Sequence, residues 1–278
     1  MKTKILLVSG MILFMTSSLF AQEFQGKAYY QSKTTINVDL SGRNIPENRK
    51  QMIKERIKKA NEKTFILNFN QLESIYKEDV KLEQPETNRG GGMRFGMMGG
   101  NSENYYKNVK KGTYVVKNDL FGKIFLVQDS LPKLNWEMAG DTKKIGKYTV
   151  FKATATKTIK RPNMGTLFNR NTENKEQEYT EKEIQIVAWY SPEIPINQGP
   201  AAYWGLPGLI LEISDDITTI LCSEINMNPK EKVEIKSPSK GKVVNQTKYD
   251  EIAKTKMKEM RENFQNMRGG REGQGGRH

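Results

Sequence analysis

Short runs in which apolar and polar positions alternate fill most of the chain. In TFILNFN, Phe65, Leu67 and Phe69 share one parity, and LESIYKED continues the alternation. The same pattern recurs in FQGKAYYQSKTTINVDL, GTYVVKN, GKIFLVQ, KYTVFKATATKTI, EIQIVAWY, LILEI and ITTILCSEI. Such runs, rich in β-branched and aromatic residues and separated by turn residues, predict half-buried strands in an antiparallel meander. No apolar pattern of helical period alternates with them, which argues against a parallel α/β sheet. Two segments do read as helices. Pro46 opens the first, expected over 46–63, with Met52, Ile53, Ile57 and Ala60 toward one face. The second is expected over 249–267, with a broken stripe of Ile252, Met257, Met260 and Phe264. Its basic character allows docking on its own domain or on an anionic membrane surface. The fold expected is therefore mainly β (α+β), a curved antiparallel sheet over 22–248 with an inserted helix and a C-terminal helix.

Composition marks off the remaining segments. Residues 84–104, around QPETNRGGGMRFGMMGG, and the tail 268–278 are glycine-rich and polar, and are expected to be flexible. At the start, Lys2 and Lys4 precede the apolar run Ile5–Phe14, and Ala21 closes the stretch. This is the pattern of a secretory signal peptide, residues 1–21, cleaved after Ala21. The run is short for a membrane span, which needs about 20 apolar residues. No cysteine sits near the cut, so the expectation is an exported protein, periplasmic or outer-membrane associated, and not a lipoprotein. Loss of Lys2 and Lys4 lowers the formal charge from +13 to 13 − 2 = +11.

Two counts narrow the chemistry. His278 is the only histidine and the last residue, which excludes a Ser-His or Cys-His pair built on rigid structure and the usual zinc sites. Cys222 is the only cysteine, so no intramolecular disulfide forms, and its setting in ITTILCSEI reads as a buried hydrophobe. The close carboxylate pairs Glu181/Glu183 and Asp215/Asp216 supply no cleft by themselves. Met93, Met97 and Met98 place three thioethers in one short loop, a donor set that suits Cu(I). Copper is the one cofactor the sequence offers, and the alternative is a low-complexity insert. Arg43–Lys63 holds eight basic and three acidic residues, and Lys230–Lys248 six and two. Export argues against nucleic acid as the partner, leaving a solvated surface or contact with anionic lipid or an acidic partner.

The densest signal is AYWGLPGLILEIS, Ala202–Ser214. Leu206-Pro207-Gly208-Leu209 reads as a type II turn, with proline fixing the second position and Gly208 taking positive φ at the third. Leu209, Leu211 and Ile213 are then expected on one face, Ile210 and Glu212 on the other. Gly205 lets Tyr203 and Trp204 fold over the turn. Asp215-Asp216 is expected to turn the chain back along Ile217–Ile225.

These residues carry a resemblance. Trp189, Pro192 and Pro195, then Gly199-Pro200, then Gly205-Leu206-Pro207-Gly208-Leu209-Ile210 resemble the signature of the GLPGLI family of exported Bacteroidetes proteins. Trp136, Lys144-Ile145-Gly146-Lys147-Tyr148 and Lys152-Ala153-Thr154 fit the same pattern. Val150 stands where many members carry cysteine, and Ala201-Ala202 lengthen the approach to the signature. The family has no established activity. The resemblance implies a role beside a TonB-dependent receptor, and its strand order is similar to the half-barrel of lipoprotein carriers. The reading that follows is a non-enzymatic binding or accessory protein. An acyl chain or apolar peptide would be its ligand, on a face lined or braced by Trp189, Tyr203, Trp204, Leu206 and Leu209. The rivals are a copper-handling protein using the methionine loop and an envelope structural protein with a basic partner-binding face.

Overall fold

The computed structural model describes residues 24–35, 45–79, 102–162 and 179–272. The stretches read as a leader, as the methionine loop up to residue 101, and as the tail from residue 273 lie outside the described residues. Among the described residues, twelve strands form one open, curved sheet. They are β1 (Gln25–Thr34), β2 (Glu62–Asn70), β3 (Glu73–Glu78), β4 (Ser102–Asn108), β5 (Thr113–Leu120), β6 (Lys123–Ser130), β7 (Glu137–Ile145), β8 (Tyr148–Pro162), β9 (Tyr179–Ser191), β10 (Leu209–Asp215), β11 (Thr218–Met227) and β12 (Lys242–Val244). Helix α1 (Glu47–Ala60) lies between β1 and β2, and α2 (Gln246–Glu272) ends the described chain. The mainly β class with an inserted and a C-terminal helix is thus the class of the protein.

The order across the sheet is β12-β6-β5-β4-β3-β2-β1-β11-β10-β9-β8-β7. Neighbours pair antiparallel, except that β12 runs parallel to β6. Cross-strand register shows how the alternating pattern is used. Ile225, Ala28, Leu67, Tyr76, Tyr105, Val116, Val127 and Val244 stand directly opposite one another on successive strands. Side chains on one parity of these eight strands therefore meet in a continuous row, each well-buried one worth about 1.5–3 kcal/mol relative to exposure. The adjacent row reads Met227, Gly26, Phe69, Ser74, Lys107, Tyr114. Gly26 is obligatory there, because a Cβ would lie 2.5 Å from the Phe69 ring.

The core has two parts. The larger gathers Tyr30, Leu67, Phe69, Ile186, Leu209 and Ile213 under β1, β2, β9 and β10. The smaller, on β5 and β6, includes Phe125, Val127 and Leu131 and receives Tyr249 and Ile252 of α2. Asn245 caps α2 by accepting the Lys248 N–H at 2.9 Å. Tyr249 meets Phe125 edge to face at 5.7 Å.

Several expected boundaries move. The expected helix 46–63 stops at Ala60, and Glu62 and Lys63 already pair in β2 with β1. Residues 102–104, expected in the flexible loop, form the start of β4, where Asn104 pairs with Lys77 of β3. Helix α2 begins three residues before 249 and extends to Glu272, into the segment expected as tail.

Candidate functional site

Residues 192–208 join β9 to β10 and carry most of the signature. Pro192, Pro195, Pro200 and Pro207 lack N–H donors, so the segment cannot continue a strand ladder. It folds on itself instead. Ile194 N–H donates to the Ser191 carbonyl (3.2 Å), Gly205 N–H to Asn197 (3.2 Å) and Ile210 N–H to Gln198 (3.1 Å). Burial alternates along it: Ile194, Ile196 and Gln198 face inward, while Glu193, Pro195 and Asn197 are exposed.

The expected type II turn is not formed. Gly208 lacks the positive φ that such a turn requires. Its N–H donates to the Leu206 carbonyl at 2.8 Å, a tighter turn closed across Pro207. Gly208 is needed for another reason: a Cβ there would collide with the Ser191 carbonyl. The left-handed residue is Gly205, at φ +94°. The expected two-face split of Leu209–Glu212 is also interrupted. A bulge opposite Trp189 and Tyr190 makes Leu211 an extra residue. Leu209, Ile210, Leu211 and Ile213 are consequently all buried. The hairpin is formed, with Asp215 opposite Thr218.

Polar brackets fix the segment over the sheet. The most unusual is Lys107 on β4, which is fully buried. Its Nζ donates to the Gly199 carbonyl at 2.5 Å and the Tyr203 carbonyl at 2.9 Å. Desolvation brings its pKa down to about 7, because the interior disfavours the ammonium. Opposite Lys107, the Ser74 hydroxyl donates to Gln198 Oε1 at 2.8 Å. Tyr30 donates its hydroxyl proton to the Ile210 carbonyl at 2.7 Å. Burial first, then Cys222 and Tyr76, raise the Tyr30 pKa. Tyr203 donates to Asp215 Oδ2 at 2.6 Å, and burial followed by this carboxylate pushes its phenol up. The two indoles form a chain: Trp136 Nε1 donates to the Trp204 carbonyl at 2.9 Å, and Trp204 Nε1 to the Pro132 carbonyl at 2.7 Å.

The candidate residues do not share one surface. Gly199, Pro200, Leu206, Gly208, Leu209 and Ile210 are buried beneath the segment, Tyr203 and Trp204 are half-buried, and Pro192, Pro195, Gly205 and Pro207 are exposed. Trp189 alternates with the buried Ala188 and Tyr190 and so belongs to the opposite face. There Lys143 Nζ lies 4.2 Å from its ring centroid and pairs with Glu212 at 2.6 Å. Trp189 and Leu206 thus stand on different faces of the sheet, with Trp189 half-buried against the larger core and Leu206 inside it. Leu206 and Leu209 belong to the packed core.

Chemically, the brackets position backbone rather than reactants. Lys107 is an amine near its neutral point, but it is enclosed and engaged by two carbonyls. Cys222 is buried, with its thiol pushed up to about 12 by desolvation. Among the described residues no cluster of three or more His, Cys, Asp or Glu could hold a metal. Met93, Met97 and Met98 lie outside the described residues. Sequence reasoning passed over Lys107, Ser74 and Gln198. One signal was available: Lys107 shares strand parity with Tyr105, on the inward face.

No curated protein matches the chain. Two solved structures, entitled "Structure of PNGF-II" in the C2 and P21 space groups, are similar with TM-scores of 0.44 and 0.47 and 12% identity. Each match covers 83% of this chain, which spans only about a third of those structures (32% and 33%). Residues 136–212 match the model of a family described as "Protein of unknown function (Porph_ging)". The match opens at Trp136, which donates to the Trp204 carbonyl within the 192–208 segment, and ends at Glu212 of β10, which pairs with Lys143 of β7.

Proposed function

We propose that the chain is a non-enzymatic binding or accessory protein of the cell envelope, exported to the periplasm or outer membrane, whose working surface is the outer rim of residues 192–208. The observation that carries this reading is the division of that segment. Its inner residues are spent on the core, while Pro192, Pro195, Asn197, Gly205 and Pro207 stand exposed on a backbone held by the brackets. A surface ordered before it meets a partner loses little conformational freedom on binding. A protein partner accounts for this arrangement better than an apolar ligand in the core, since Leu206, Leu209 and Ile210 are already packed there. The likeness to GLPGLI proteins supplies the partner class, a TonB-dependent receptor.

A photo-crosslinking residue at exposed Asn197, compared in cells with one at exposed Thr156, tests the reading. The expected result is an adduct with an outer-membrane receptor or periplasmic protein from Asn197 alone. Identical adducts from both positions, or none from Asn197, refute it.

A further inference from the structure

We propose that α1 is a docking helix for an anionic lipid surface. The helix spans Glu47–Ala60 and has no buried residue. Met52 is 65% exposed, and Ile53 and Ile57 are only half-covered. In water, isolated helices shorter than about 12–15 residues are marginal, and most owe their stability to packing of an apolar face. Little of that packing comes from the sheet.

Charge identifies what would supply it. Residues 47–60 hold six cations (Arg49, Lys50, Lys54, Arg56, Lys58, Lys59) and two anions (Glu47, Glu55), a net 6 − 2 = +4. Lysines on the neighbouring strand ends are neutralised: Lys33 by Glu62, Lys63 by Glu78 and Lys182 by Asp216. On α1 only Lys50 has such a partner, Glu47 at 3.2 Å. Among the described residues the other five cations make no ion pair. With about 3.6 residues per turn, Arg49 and Arg56 flank one side of the Ile53–Ile57 stripe and Lys50 the other. Arg49, Arg56 and Lys59 also border the exposed Met52 around the helix, and such long basic side chains let their stems lie on acyl chains while the heads stay among phosphates. An acidic protein would instead offer carboxylates at fixed points. Unpaired cations spread around the helix fit a fluid anionic surface.

The full chain is tested by flotation with vesicles of phosphatidylcholine alone and with about one-third phosphatidylglycerol. The comparison protein carries K54Q, R56Q, K58Q and K59Q together. Each cation near such a surface contributes about 1 kcal/mol, roughly fivefold in partitioning, so the variant should lose on the order of a hundredfold or more. Raising salt from about 0.05 to 0.5 M should release the wild type. A separate M52W chain should show blue-shifted emission only with the anionic vesicles. Because α1 buries nothing, the variants should keep the unfolding midpoint of the parent. Equal binding to neutral vesicles, an unchanged partition of the fourfold variant, or equal binding to soluble polyglutamate would overturn the proposal. The last result would reassign the helix to an acidic protein partner.

Discussion

Replacing Lys107 by methionine tests whether a buried ammonium brackets the signature segment. In the native state the amine is fully buried and its pKa is about 7, lowered by desolvation, whereas an exposed lysine titrates near 10.4. Between these values the unfolded chain binds one more proton than the folded one. Stability must therefore rise with pH over this window, with a limiting slope of about 1.4 kcal/mol per pH unit. Starting half-protonated at pH 7, the contribution to pH 9 integrates to about 2 kcal/mol. With a urea m-value near 3 kcal/mol/M, the midpoint shifts by about 0.7 M. The high net charge, +13, adds a second pH dependence as self-repulsion falls toward the pI, so the slope alone decides nothing. Lys107→Met isolates the group, since both chains share that background. The methionine variant loses the donors for the Gly199 and Tyr203 carbonyls but also the cost of burying charge. It should compare best with the wild type below pH 7 and fall behind by about 2 kcal/mol toward pH 9. Urea titrations at pH 6, 7, 8 and 9 make the measurement. Parallel stability curves for the two proteins would refute both the buried amine and its bracket role.

Gly208→Ala should destabilise by about 3 kcal/mol or more, because the new methyl meets Ser191 backbone that cannot rotate away; calorimetry reads the loss. Gly205→Ala should cost about 1–3 kcal/mol from its left-handed backbone alone, since nothing crowds the position. A double-mutant cycle between Lys143→Ala and Trp189→Leu should give a coupling of about 0.5–1 kcal/mol that shrinks in salt. Cys222 should resist a disulfide reagent at pH 8 in the folded chain and react promptly in urea, because burial keeps its thiol protonated; fast native labelling would contradict its place in the core.

Strands that bury one face were legible because their alternation records burial directly, as in β1 and β5. Edge strand β7 was not. Its sequence EMAGDTKKI has no buried residue and a register shift between Met138 and Thr142, so no apolar period exists to read. Strand β12 is three residues whose pairing is decided by β6, far earlier in the chain. In the signature, the presence of proline and glycine was informative, but their geometry was not. A glycine can answer either to a positive φ or to a close backbone approach, and the sequence carries the same letter for both; Gly205 meets the first need and Gly208 the second. Lys107 was hidden by its residue type, since lysine ordinarily marks a solvated position. Only its strand parity contradicted that.

The middle of the sheet is a seam between the two ends of the chain. Strand β1 pairs on one side with β2, its next strand, and on the other with β11, so that Thr34 meets Thr218 at a separation of 184 residues. Closing so long a loop costs about 2.5 kcal/mol more entropy than closing a ten-residue hairpin, unless the intervening hairpins form first and shorten it. Folding should accordingly be late and slow relative to its hairpins, with β1–β6 and β7–β11 assembling as two separate meanders. Until they join, β1 and β11 each present an unpaired edge. A chain halted before residue 218 would keep the β1 edge open permanently, and would pair with other copies instead of with itself.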